Sequence, residues 1–413
     1  MAAFVGTTIE WYDFYVYATA AALVFGPLFF PSDDPLAETA AAFATFAVAF
    51  LVRPLGGIVF GHIGDKLGRR VSLVITLLLM GAATVLVGCL PTYENIGILA
   101  PILLILLRAI QGLAVGGEWG GAVLMSVEHA PEKSKTFYGG FTQLGNPAGA
   151  LLASGIFAIM ARGGDTFIID GGWRIPFLLS IVLIAVGYVI RRAVDESPVF
   201  EDLRRRRKEA SAPLGQLFRS NTKQVVLTAV IFIANNAAGY LLIAFFATYA
   251  VTALGMERPP VLLATTLASF GWLIFTLWGG HLSDRLGRIR TFQIGYVALA
   301  VWAIPMWFLI DTANIVWYFV ALFVMTFALG LSYGPQAALY AEMFPANVRY
   351  SGVSIGYALG AILGGAFAPM IAESLLNQFH AAWTIGLYIA IASVISLIGV
   401  SLVKETKGVD LSV

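Results

Sequence analysis

Gly61-His62-Ile63-Gly64-Asp65-Lys66-Leu67-Gly68-Arg69-Arg70 is a short, charged, glycine-rich stretch between two long apolar runs. It returns 219 residues later as Gly280-His281-Leu282-Ser283-Asp284-Arg285-Leu286-Gly287-Arg288-Ile289. Both copies read G-H-x-x-D-[KR]-L-G-R. A match of this kind between membrane-length segments predicts two related halves, each with a tight hairpin between its second and third spans. A second pair agrees: Glu128-His129-Ala130-Pro131 closes a fourth span and Glu342-Met343-Phe344-Pro345 a tenth, 214 residues apart. The halves therefore run parallel, related by an axis along the membrane normal.

Composition sets the environment. Hydrophobic residues make up 59% of the 413 and charged residues 12%, with a mean hydropathy of +0.84. Soluble domains carry about 25% charged residues, so most of this surface is expected to face lipid. A net charge of +1 gives no reason to expect a nucleic-acid partner. Cys89 is the only cysteine, which excludes an internal disulfide and a cysteine-built metal site. His62, His129, His281 and His380 fall at loops or span ends without ligand spacing. No metal or cofactor is expected. Met1-Ala2-Ala3 shows no basic leader, and the first apolar run has no cleavage site.

A helical span needs roughly 20 apolar residues. Twelve runs qualify: 4–27, 37–59, 71–90, 98–127, 137–161, 174–191, 224–250, 261–279, 291–310, 315–341, 352–373 and 382–403. The predicted fold is all-α and membrane-embedded, with six-helix bundles over 1–191 and 224–413. A cytoplasmic linker over 192–223 joins them and carries Arg204-Arg205-Arg206-Arg207-Lys208. With the N-terminus inside, twenty of the 25 Lys and Arg fall on the inner side and only Arg162, Arg174 and Arg258 outside. That bias predicts both termini in the cytoplasm. Glycines at 352, 356, 360 and 364, and the pairs Gly112/Gly116 and Gly117/Gly121, let helix backbones approach closely; tight packing is their simplest role.

The pattern resembles a transporter of the major facilitator superfamily. The loop after span 2 is similar to that superfamily's signature there, and Arg108-Ala109-Ile110-Gln111-Gly112 to its span 4 signature. More narrowly, four stretches resemble the metabolite:proton symporter family, which includes shikimate, α-ketoglutarate, citrate and proline/betaine transporters. They are Glu10-Trp11-Tyr12-Asp13-Phe14, Arg53-Pro54-Leu55-Gly56-Gly57, Gly116-Gly117-Glu118-Trp119-Gly120-Gly121 and Gly172-Trp173-Arg174-Ile175-Pro176-Phe177. The first-half wording is most similar to shikimate-transporter-like members. The likeness spans the chain and is specific to the family, not to a substrate. Against that family, a C-terminal coiled coil found in some members is not expected, and a longer native N-terminal tail is.

Ionisable side chains inside spans are costly and mark pathways. Here they are Glu10, Asp13, Arg53, Arg108 and Glu118, all in the first half. Counting along the helices places Glu10, Asp13, Arg53 and Glu118 at one depth, with Arg108 roughly 15 Å further out. Close carboxylates raise one another's proton affinity, as does desolvation, so these five are the candidate proton-coupling set. A fixed pair such as Glu118 with Arg53 is the alternative. Arg108 is the candidate to meet an anion, since guanidinium keeps its charge and offers a planar fork; its alternative is a counter-ion to a span 1 acid. The resemblance favours coupling, because the superfamily's span 4 arginine is linked with proton symport. Tyr17, Trp119, Gln143, Asn146, Asn235, Asn236, Tyr240, Tyr333, Gln336 and Tyr340 are candidate substrate contacts, with interhelical bonding as the alternative for each. Pro147 and Pro335 are expected to bend their helices.

The charged repeats form a candidate cytoplasmic gate: Asp65, Arg69, Arg70 and Glu128, then Asp284, Arg285, Arg288 and Glu342. Asp65 is expected to cap the helix that starts beside it, while Arg69 and Arg70 reach for Glu128. The alternative, charge that only fixes topology, does not account for an acid.

The reading is a monomeric proton symporter of the bacterial cytoplasmic membrane, carrying a small polar organic solute, most simply a carboxylate, by alternating access. A zwitterionic osmolyte is the second substrate class, kept open by Trp11, Tyr12, Tyr15, Tyr17 and Trp119. An uncoupled facilitator or exchanger is a further alternative. A channel would need a continuous polar lining, and an enzyme a nucleophile–base pair, metal spacing or nucleotide motif; none is visible.

Overall fold

In the computed structural model, residues 2–33, 35–131, 134–160, 167–193, 195–205, 213–409 and 411 are described. Lys133, Arg162 and the linker residues Arg206, Arg207 and Lys208 lie outside the described residues. Among the described residues all regular structure is helical.

Twelve rods follow in chain order. In the first half, α1 joins Ala2–Ala20, a π-turn at Ala21–Phe25 and Gly26–Phe29; α2 is Pro35–Leu67, α3 Arg69–Cys89 and α4 Leu99–Glu128. Next, α5 joins Lys135–Gln143 to Gly145–Met160, and α6 runs from a π-turn at Ile168–Gly172 into Arg174–Arg192. In the second half, α7 joins Thr222–Ile231, Ile233–Ala244 and Phe246–Thr252; α8 is Arg258–Leu286. Then α9 joins Arg288–Trp302 to Pro305–Ile310, and α10 joins Ile315–Tyr333 to Gln336–Met343. Last, α11 joins Arg349–Ala361, Ile362–Ala366 and Ala368–Phe379, and α12 is Trp383–Ser401. Among the described residues, nine of these are long and apolar enough to cross a membrane by length and composition, all but α1, α5 and α9. Two short helices, Pro198–Arg205 and Pro213–Ser220, lie between the halves. The α10 break falls at Gly334–Pro335, as expected. The α5 break falls at Leu144, before Pro147, whose side chain is outside the described residues.

The expected hairpins are narrower than the repeat. Residues 61–67 continue α2, and only Gly68 separates it from α3; Gly287 does the same between α8 and α9. Their φ angles, 113° and 105°, lie where side chains are strained. A Cβ at Gly68 would also sit 2.2 Å from the Glu196 carboxylate, and one at Gly287 2.5 Å from that of Glu405. The halves meet tightly at this basic end, where α2 and α4 pack on α11 and α5 packs on α8. A Cβ at Gly61 would fall 2.6 Å from the Ser351 backbone. Large apolar side chains such as Ile159, Val189, Val301 and Phe308 cover the outside of the bundle.

Candidate functional site

The first half encloses a buried charged compartment. Glu10, Asp13, Arg53, Arg108 and Gln111 are each less than 5% exposed or at that value. Asp13 accepts from Gln111 Nε2 at 3.2 Å and from the Thr84 hydroxyl. Gln111 Nε2 also donates to Thr84 at 2.8 Å, and Gln111 Oε1 accepts from Arg108 Nη1 at 3.1 Å. Gln111 thus links the α4 arginine to the α1 acid. Arg108 lies over the Tyr17 ring at 4.0 Å, and the Tyr17 hydroxyl shares a 2.5 Å hydrogen bond with Thr45. Arg53 lies over Phe50 at 4.4 Å. The void among these groups is only about 10 Å³, at the lower limit for one water.

The expected cluster of three carboxylates is divided. Glu118 forms a salt bridge with Arg191 and accepts from Thr76 Oγ1 at 2.7 Å. Arg191, which the sequence count assigns to an inner loop, is 4% exposed at the end of α6. Its length lets the head reach back into the bundle, so Glu118 does not pair with Arg53. Among the described residues, Glu10 Oε2 has no hydrogen-bond partner.

A second, neutral compartment of about 20 Å³ faces the second half. Asn146, Asn235, Asn236, Tyr240 and Tyr333 line it, together with Trp272 and Tyr357. Several polar groups here hold helices. Asn235 Nδ2 donates to Ser332 Oγ at 2.8 Å, Asn236 Nδ2 to Phe232 O at 3.3 Å, and Asn146 Oδ1 accepts from Tyr15 at 2.9 Å. Tyr340 is fully buried and its hydroxyl donates to Thr228 O, so it pins α10 to α7 and does not line the void. Trp119 stacks on Tyr357 at 3.7 Å and donates to Gln143 Oε1 at 3.4 Å. Among the described residues, both amide atoms of Gln336, with Gln143 Nε2 and Trp272 Nε1, are buried with no hydrogen-bond partner. Such groups are costly unless something else satisfies them. Phe14, Phe50 and Tyr240 stand between the compartments with centroids 5.6–6.1 Å apart.

Thr84, Trp272 and Tyr357 are not among the residues the sequence singled out, and Gln111 entered only as part of a motif. In sequence they are single polar or aromatic positions within long apolar runs. Gln111 carried a signal: it lies three residues after Arg108, on the same helix face.

At the basic end the repeats lock the halves. Asp65 does not cap α3. It accepts from Tyr350 N at 3.1 Å, Ser351 N at 3.0 Å and Ser351 Oγ at 2.7 Å, capping α11 of the other half. The reason is geometric, because α2 continues past Asp65 to Leu67 and points the carboxylate across the seam. Glu196 caps α3 instead, bonding the N–H groups of Arg69 and Arg70. Arg69 lies 3.7 Å from Glu128 and donates to Ala346 O at 3.0 Å. Arg70 does not reach Glu128; it donates to Arg192 O. Glu128 also meets Arg349 at 3.2 Å. In the second copy Asp284 accepts from Thr136 N and Phe137 N, at 3.3 and 3.2 Å, at the start of α5. Arg288 bonds Asp284 at 2.9 Å and Glu342 at 3.0 Å. Arg285 is exposed, and its carbonyl, accepting from Lys407 at 2.8 Å, makes its contact. Glu405 caps α9 as Glu196 caps α3. Glu196-Ser197 and Glu405-Thr406 are a further repeat, 209 residues apart, that could have been read from the sequence.

The family model described as Major Facilitator Superfamily matches residues 3–369. The chain belongs to that superfamily. Like other major facilitators it is a multi-pass membrane transporter for a small-molecule substrate, and not an enzyme. It is 40% identical to the "Inner membrane metabolite transport protein YhjE" of Escherichia coli, over 98% of this chain and 94% of that one. It is 36% identical to the Escherichia coli "Shikimate transporter", again over 98% and 94%. Its fold matches that of the Escherichia coli proton:xylose symporter XylE bound to 6-bromo-6-deoxy-D-glucose, with a TM-score of 0.81 at 20% identity, covering 100% and 96% of the two chains.

Proposed function

We propose that this transporter is a proton-coupled symporter for a small organic acid, working as a monomer by alternating access in a bacterial cytoplasmic membrane, with both termini cytoplasmic. The observation that carries this reading is the buried chain Arg108–Gln111–Asp13–Thr84. A proton on Asp13 removes the negative charge that the Arg108 guanidinium faces through Gln111. A substrate carboxylate would then replace that negative charge beside the guanidinium, so proton and anion load together. Hydroxyls or a ring would turn toward the Gln336 amide, Gln143 Nε2 and Trp272 Nε1, which have no hydrogen-bond partner among the described residues. Shikimate-like or dicarboxylate substrates suit such a divided site. One proton moving through 100 mV supplies about 2.3 kcal/mol, which supports about fifty-fold accumulation.

The test is uptake into proteoliposomes under an imposed pH gradient, with a panel of hydroxy acids, dicarboxylates and betaines. Accumulation of an acid that collapses with a protonophore supports the reading. Uptake that only equilibrates, whatever the gradient, would identify a facilitator. A zwitterion is the second reading, favoured by the aromatic wall in which Trp272 and Tyr333 lie 5.4 Å apart and Phe232 and Tyr357 4.8 Å apart. Aromatic faces hold quaternary ammonium groups, and a preference for betaines in the same panel would select it.

A further inference from the structure

A cavity of about 680 Å³ is lined by the first half alone and is not between the halves. All its walls come from the first half, from the basic ends of α1, α3, α4, α5 and α6. It therefore lies off the path a solute takes between the bundles. Its size falls in the range of ligand sites, yet most of its lining is apolar, from Phe4, Leu73, Ala122, Met125, Phe141 and Leu144, with Ser126 and the ion-paired Arg191 beside them. Leu73 and Ala122 are buried at its floor, while His129 and Tyr138 are exposed at its rim.

The rim is basic. Arg70 lines it, partly exposed, and its guanidinium donates to the carbonyl of Arg192, whose own side chain is exposed. His129 is exposed in the same lining, its Nδ1 2.9 Å from Met125 O. The acids beside it are engaged by other partners. Glu118 pairs with Arg191 in the cavity wall, Glu128 with Arg69 and Arg349, and Glu196 takes the N–H groups of Arg69 and Arg70. A deep apolar slot with a cationic mouth, at the end of the protein that carries most of its Lys and Arg, matches one membrane component. Acyl chain enters the slot and an anionic headgroup stays at the mouth.

We infer that this cavity is a binding site for an anionic phospholipid of the cytoplasmic leaflet. Its position gives the site a second consequence. Arg70 adjoins Arg69 of the lock, and Ala122, Met125 and Ser126 lie on the last two turns of α4, just before Glu128. A bound lipid therefore braces the first-half elements that hold the closed basic end.

The test uses the purified full chain in detergent, with phosphatidylglycerol and phosphatidylcholine of identical acyl chains and glycerol 3-phosphate alone. Phosphatidylglycerol should raise the melting temperature by several degrees more than phosphatidylcholine, with an advantage that shrinks as salt rises. Glycerol 3-phosphate should do nothing. Arg70→Gln combined with His129→Gln should weaken apparent phosphatidylglycerol affinity at least tenfold and leave the phosphatidylcholine response unchanged. Met125→Trp, which fills the slot and leaves the rim intact, should remove the phosphatidylglycerol response. A photoactivatable phosphatidylglycerol on the unaltered protein keeps the idea testable if that variant fails to fold, and should label the segment 122–144. Equal responses to the two lipids, a full response in Met125→Trp, or labelling confined to outer surfaces such as that around Phe308 would each overturn the site.

Discussion

The two halves share a repeat and use it differently. Asp65 is 2% exposed and takes three hydrogen bonds from the other half, while its neighbour Arg69 donates across the seam to Ala346 and Glu128 meets Arg349. In the second copy Asp284 alone of the three reaches across, through two bonds of 3.2–3.3 Å. Arg288 and Glu342 bond each other, Ser283 and Thr406, all within their own half. One copy is a latch between halves and the other mainly a brace within one. The interior is divided the same way. Away from the basic end, the buried charges Glu10, Asp13, Arg53 and Arg108 lie in the first half, and the second offers amides and aromatic faces. On the proposed function, such a division would put energy coupling and latching in one half and recognition surface in the other.

The sharpest way to break this comparison is Asp13→Asn set against Gln336→Leu. The first removes a titrating group and keeps its shape. It should retain counterflow exchange yet lose proton-driven accumulation altogether. The second should keep accumulation and weaken affinity by about tenfold, ~1.4 kcal/mol. Proton-driven accumulation in Asp13→Asn at normal expression would move the coupling site elsewhere.

Next in size is the latch. Asp65→Asn removes the charge that three α11 donors face and should lower maximal transport rate more than tenfold, with little change in affinity. Asp284→Asn should lower it only about threefold, ~0.7 kcal/mol. Rates measured for both variants at matched expression decide it. Equal losses would show that the copies contribute alike to the gate.

The fold was legible because membrane-length apolar runs and an exact charged repeat are local signals. The repeat's partners were not. Capping of α11 by Asp65 joins residues 285 apart in sequence, and no local pattern announces which helix terminus will arrive there. Glu118 shows the limit of counting depth along a helix. Counting puts it level with Asp13, yet its partner is Arg191, whose side chain runs back into the bundle from a span end. Tyr340 had the look of a site residue and serves as a helix pin, because hydroxyls in apolar spans must bond something and the nearest carbonyl usually wins. Trp272 shows the converse. A tryptophan in an apolar run reads as lipid-facing until the rods are assembled and its Nε1 is seen buried without a partner.

Arg108→Lys refines the division inside the first half. Lysine keeps the charge and loses the planar fork that bonds Gln111 and would receive a carboxylate. Affinity for the best-bound acid should fall about tenfold across the pH range. Unchanged affinity with a displaced pH optimum would instead make Arg108 a counter-ion to Asp13, with the substrate docking elsewhere.

The smallest expected effect tests the latch against the brace at one matched pair. Lys135 and Arg349 begin α5 and α11 and lie 214 residues apart, the same offset as Glu128 and Glu342. Arg349 bonds Glu128 across the seam at 3.2 Å and Leu411 O at 2.9 Å. Lys135 instead donates to Val409 O at 3.3 Å. The difference follows from the acids. Glu342 already holds Arg288 through two bonds and Thr406 at 2.6 Å. Glu128 has Arg69 only at 3.7 Å, because that guanidinium is drawn toward Gly64 O and Ala346 O and over the Phe200 ring. Arg349→Gln should therefore loosen the closed basic end, while Lys135→Gln should barely do so. Ser354→Cys, in a Cys89→Ser background, reports on this seam, since Ser354 is buried against Gly57 and Gly120. Its labelling by a membrane-impermeant thiol reagent should quicken about fivefold, ~1 kcal/mol, in Arg349→Gln. In Lys135→Gln it should stay within about twofold. The first effect is bounded because Glu128 keeps Arg69 and the Ser197 hydroxyl, so its charge is never left without partners. Equal quickening in both variants would mean that the two locks bear equally on opening, and that their unlike bonding does not set which one holds the gate.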